Sequence, residues 1–120
     1  MKLVRVYSDD SGATHIDEVG DVLQERLSGR PLERADTAQW DEVPASGLSF
    51  RRVDADALVP GFHRAPVRIC LLLLGGGFEV EVASGATSRV GPGDALLLED
   101  LTGEGHISRG IAEVAVVRLP

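Results

Sequence analysis

The side chains able to do chemistry are few. The chain has three histidines, His15, His63 and His106, and a single cysteine, Cys70. His63 and His106 bracket a strand-rich stretch, Pro60 to Ser108, that also carries Arg68 and Asp100. An imidazole changes charge near neutrality, so it can move a proton or donate a lone pair to a metal. Arginine is a permanent cation whose fork suits a carboxylate, phosphate or enolate. Cys70 stands in an apolar run with no base beside it, where a thiol is more often inert than nucleophilic. His15 falls in a short N-terminal segment and reads as a strand-surface or dimer-contact residue.

The elements that must position these groups read as strands. Leu3 to Tyr7 is β-branched and closes in the turn cluster Ser8 to Gly12, and Thr14 to Val19 alternates well enough to complete a hairpin. Val22, Leu23 and Leu27 would line one side of a two-turn helix over Asp21 to Leu27. Ser28 to Ser46 is polar and irregular, with Trp40 as its anchor, and reads as a long connection lying over the surface. Leu48 and Phe50 then share one strand face. Val67 to Leu74 is apolar, and Gly75 to Gly77 breaks it. Phe78, Val80 and Val82 alternate with Glu79 and Glu81, the period of a strand with one wet face. Pro92-Gly93 suits a type II turn before Ala95 to Leu98. Ile111 to Leu119 closes the chain. Many short strands with almost no helix predict an all-β sandwich or barrel.

At 120 residues the chain makes one domain over residues 1–120, with N-terminal strands and a covering loop in 1–46 and a barrel core in 47–120. A net charge of −7 opposes binding to nucleic acid or to an anionic membrane surface. The longest apolar run, Ile69 to Leu74, is too short to span a bilayer. With one cysteine and no signal-peptide layout at Met1 to Asp10, a cytoplasmic location is expected. Lys2 is the only lysine beside eleven arginines, a bias expected of a GC-rich bacterial genome. An open edge at Leu3 to Tyr7 would invite pairing into a homodimer.

Anchored on Gly75 and Gly85, the stretch keeps the frame of the cupin motifs, with His63 at the second histidine and Gly91-Pro92-Gly93-Asp94 at the turn. It therefore resembles a cupin over roughly residues 45 to 118. The resemblance implies a single-domain double-stranded β-helix, or jelly-roll barrel. Most ligand positions of the family are altered: its first histidine falls on Gly61, its glutamate on Arg68, its third histidine on Leu96 and its asparagine on Asp100. Leucine has no lone pair to offer and a guanidinium repels a cation, so no metal and no other cofactor is expected. The segments Phe62-His63-Arg64-Ala65-Pro66-Val67-Arg68 and Glu99 to His106 are similar to a narrower group of small bacterial cupins. That group also shares Arg5 to Asp9 and Gly12 to His15. Phe62 stands where that group has tryptophan and Cys70 where it has glutamine, both expected at the cavity. The group brings no activity with it.

Frame and strand parity together place His63, Arg68, Cys70 and Leu72 inward, facing Leu96, Leu98 and Asp100, with His106 at the rim. The expected site pairs His63 and His106 as proton-transfer groups with Arg68, Cys70, Asp100 and Phe62 around a small-molecule ligand. The expected function is that of a metal-independent acid–base enzyme of isomerase, cyclase, dehydratase or lyase type, acting on a small acidic or carbonyl-containing metabolite. Two other readings stand beside it. One is a non-catalytic barrel that binds or senses such a ligand. The other is a metal enzyme using a displaced set of His63, Glu99, Asp100 and His106. Arg68 paired with Glu99 or Asp100 would equally serve only to tie strands together.

Overall fold

The computed structural model describes residues 1–19, 44–58 and 61–120. The expected helix at Asp21 to Leu27 and the Trp40 anchor lie outside the described residues. Among the described residues nine strands and one helical turn follow in order: β1 (Leu3–Ser8), β2 (Thr14–Val19), β3 (Gly47–Asp54), α1 (Ala55–Leu58), β4 (Ile69–Gly76), β5 (Phe78–Val82), β6 (Thr87–Val90), β7 (Ala95–Glu99), β8 (His106–Arg109) and β9 (Ile111–Arg118). No helix among the described residues is long and apolar enough to cross a membrane.

The strands form two sheets. One has six strands in the order β2-β1-β7-β4-β9-β3, the other three in the order β6-β5-β8. The fold is thus all-β, and among the described residues the two sheets do not close into one barrel. Their facing sides hold the core: Val4, Val6, Leu71, Leu73, Leu96, Leu98 and Val114 from the large sheet meet Phe78, Val80 and Val82 from the small one. On β5 the alternation expected from the sequence holds, with the three apolar residues buried and Glu79 and Glu81 turned outward.

The expected hairpin forms, with β1 antiparallel to β2 from Leu3↔Val19 to Ser8↔Thr14. The open edge does not. β1 lies inside the large sheet, because its other side pairs parallel with β7. A parallel partner more than eighty residues away leaves no local mark in the sequence. At Gly91 to Asp94 the expected turn is made: Asp94 N–H donates to the Gly91 carbonyl at 2.9 Å and Gly93 has φ +88.

On one strand, β4, the faces are the reverse of those expected. On β4 the inward residues are Leu71 and Leu73, while Leu72 and Leu74 are exposed on the outer face. Leu48 and Phe50 share a face of β3 as expected, and it is the outer one, at 62% and 71% exposure. Arg51 and Val53 take the other face and border the space between the sheets, Arg51 while itself exposed.

Candidate active site

Asp100 follows the last residue of β7 and continues its inward parity after Leu96 and Leu98, which leaves its carboxylate fully buried. His106 opens β8 and is 2% exposed. Its Nδ1 lies 2.5 Å from Asp100 Oδ2. With Nδ1–H donating to the carboxylate, the ring is fixed in the tautomer whose lone pair is on Nε2. Asp100 Oδ1 has no hydrogen-bond partner among the described residues. A buried polar atom left unpaired costs about 1–3 kcal/mol, so the carboxylate is kept here against a stability penalty.

His63 lies directly across from His106. Each donates its main-chain N–H to the other's carbonyl at 2.8 Å, so the residue extends the small sheet by one bridge. This pairing puts both side chains on one face, with ring centroids 4.7 Å apart and planes tilted by 52°. His63 Nδ1 sits 3.2 Å from the Gly61 carbonyl. Two residues further on, Ala65 N–H donates to the Asp100 carbonyl at 3.2 Å.

The turn entering β8 is held by the N-terminal hairpin. Gly105 N–H donates to the buried Thr14 Oγ1 at 3.0 Å, Glu104 N–H to the Gly12 carbonyl at 3.0 Å, and Ser8 Oγ to the Thr102 carbonyl at 2.6 Å. Gly103 and Gly105 both have positive φ, and a Cβ on Gly105 would stand 2.3 Å from the His63 carbonyl oxygen. Only glycine allows this approach.

The two imidazoles open on a cavity of about 200 Å³ between the sheets. Val53, Ile69, Leu71, Phe78, Leu98 and Val116 make it mainly apolar, and Ser108 and Arg51 add a hydroxyl and a cation to its wall. Arg51 escaped the sequence reading. Its signal was available: it shares β3 parity with Val53, the apolar residue of that face nearest the site.

The other expected site residues lie elsewhere. Arg68 and Cys70 were placed inward with His63, and the structure corrects this. Arg68 Nε donates to Glu99 Oε2 at 2.7 Å and its Nη1 to the Pro120 carbonyl at 2.9 Å, on the outer side of the large sheet. Arg5 Nε takes the other oxygen of Glu99 at 2.6 Å. Burial pushes Glu99 up, but the hydrogen bonds from Arg5 and Arg68 outweigh it and hold its carboxyl below the usual range. Cys70 lies between Leu97 and Val117 in the outer rows of the same sheet, and burial raises its thiol pKa. The error has a simple cause. Residues 64–68 form no strand, so parity cannot be counted through them, and a one-residue slip exchanges the faces. Arg68 therefore does not occupy the centre of the site. Phe62, 48% exposed, lines an open recess outside the cavity together with Arg64, Leu101 and Glu104.

The displaced metal set does not assemble either, because Glu99 turns away from Asp100, His63 and His106. Among the described residues no group of three or more His, Cys, Asp or Glu side chains is arranged to hold a metal ion. His15 also lies apart, on the outer face, where it stacks on Tyr7 at 5.3 Å and meets Asp9 Oδ2 at 2.7 Å. That contact, more than the bonds Asp9 accepts from Ser11 and Ala13, holds the Asp9 carboxyl far below its ordinary range.

No protein-family model matches the chain, and no curated protein is similar enough in sequence to count as a relative.

Proposed function

We propose that this chain is a cytoplasmic, cupin-type jelly roll of bacterial origin acting as a metal-independent acid–base enzyme, of isomerase, cyclase, dehydratase or lyase type. Its substrate is a small carbonyl-containing or acidic metabolite. The observation that carries the reading is the buried Asp100–His106 pair, 2.5 Å apart, opening through the imidazole into an apolar cavity. Asp100 accepts from Nδ1–H and orients His106, so that Nε2 serves as the base. A water-poor wall strengthens that interaction. His63, one ring away, is placed to return a proton to the developing enolate oxygen. Arg51 replaces Arg68 as the cation for a substrate carboxylate.

Thermal-shift screening against small oxo and hydroxy acids, with product analysis of the hits, tests this reading. The expected result is a ligand that stabilises the wild type and is converted by it. His106→Gln should keep the shift while losing about 100-fold or more of the conversion. Binding without turnover, unchanged in His63→Ala and His106→Gln, would leave the non-catalytic binding barrel as the function.

We also propose a homodimer, now resting on a face and not on an edge. Leu48 and Phe50 on β3 and Leu72 and Leu74 on β4 are exposed on the outer face of the large sheet, on either side of β9, and apolar patches mark association surfaces. Sedimentation equilibrium should give a dimer that Phe50→Glu dissociates. A wild-type monomer at high concentration would end the idea.

A further inference from the structure

Behind His63 lies the buried His106, and in front of it lies solvent. His63 alone among the described residues lines both the inner cavity and the open recess formed by residues 62–66 and the turn Leu101 to Glu104. Its main chain cannot yield, because two 2.8 Å hydrogen bonds clamp it to His106. Its ring can. Among the described residues the ring has one hydrogen bond, a 3.2 Å contact to the carbonyl of Gly61 in its own turn. His63 is thus the side chain the recess and the cavity share, and turning its ring would join the two.

We infer that ligands reach His106 from the outer recess, past His63, and that the side chain at position 63 sets the size of molecule admitted. The inference rests on the proposed function only in taking the inner cavity as the ligand site. The clamp uses main-chain atoms alone, so substitutions that keep the N–H change the aperture with side-chain volume and leave both bonding partners in place. A cavity of about 200 Å³ holds the equivalent of about seven waters. The molecules that pass are thus compact, with an apolar body matching Ile69, Leu71 and Val116 and one polar end left at the imidazoles.

The test reads access to His106 without any substrate. Two probes of different bulk are used on the intact chain, with peptide mapping by mass spectrometry. Diethyl pyrocarbonate acylates an unprotonated imidazole nitrogen with loss of ethyl carbonate, and the larger phenacyl bromide alkylates it with loss of bromide. In the wild type the exposed His15 should react with both far faster than His106. In His63→Ala the His106 rate should rise by about an order of magnitude with the small probe, and by more with the large one, while His15 stays unchanged. In His63→Trp it should fall below wild type with both. An amide spectrum showing that the β8 pairing survives confirms that each variant is folded. Equal His106 rates in all three proteins would overturn the inference, as would a rise identical for the two probes, since that would reflect altered basicity and not access. Loss of turnover in the functional assay leaves these rates untouched, so the two readings fail separately.

Discussion

Gly105→Ala is expected to lower stability by more than about 4 kcal/mol, beyond the usual range for one small substitution. Two costs add. Position 105 has φ +79, and an L-residue in that region costs about 1–2 kcal/mol. The larger cost is contact with main chain that has nowhere to go. The new Cβ would stand 2.3 Å from the His63 carbonyl oxygen, 2.4 Å from its carbon and 2.8 Å from Arg64 nitrogen. Relief requires breaking the His63–His106 bridge. Gly85→Ala is the matched control, with φ +91 but nothing within 4 Å of the new methyl. It should lose only the conformational cost of about 1–2 kcal/mol. Thermal unfolding of the two variants should therefore separate them by about 10 °C or more. If Gly105→Ala melts close to Gly85→Ala, the close packing of the 103–105 turn on His63 is wrong.

The second large effect is at Asp100. Asp100→Ala strips the acceptor from His106 Nδ1 and leaves a buried polar group without a partner, at a cost of about 1–3 kcal/mol. Asp100→Asn keeps a side-chain oxygen able to accept the same bond and should cost about 1 kcal/mol. Denaturant unfolding measures both. The functional consequence divides differently. Asn can orient the ring but cannot offset charge on a protonated imidazole, so both variants should lose about 100-fold or more in turnover. Equal stability for the wild type and Asp100→Ala would mean that the 2.5 Å contact contributes nothing, and the account of His106 orientation would fall with it.

Much of the fold is legible in the residues, for reasons that also mark where legibility stops. Phe78 to Val82 declares its faces because apolar and charged residues alternate. Gly91 to Asp94 declares its turn because proline and glycine each fix a dihedral. Ile69 to Leu74 declares a strand but not its faces, since every position is apolar and no contrast shows which side is wet. The site divided along that line. His63, Asp100 and His106 come together, though His106, expected at the rim, is buried. Arg68 and Cys70, assigned through the uninformative run, face the other way. Strand β8 escaped notice because it is four residues long and follows a glycine-rich turn. It becomes a strand by pairing with β5, a contact that no local pattern announces. The place of β1 beside β7 is illegible for the same reason.

The central claim is that His106, oriented by Asp100, moves a proton on a molecule bound between the sheets. The most direct measurement is proton NMR in deuterium oxide on a ligand found by thermal shift, following exchange at the carbon next to its carbonyl. The wild type should incorporate deuterium there, and His106→Gln should bind the same ligand with exchange reduced to the uncatalysed rate. Exchange that continues undiminished in His106→Gln would contradict the account.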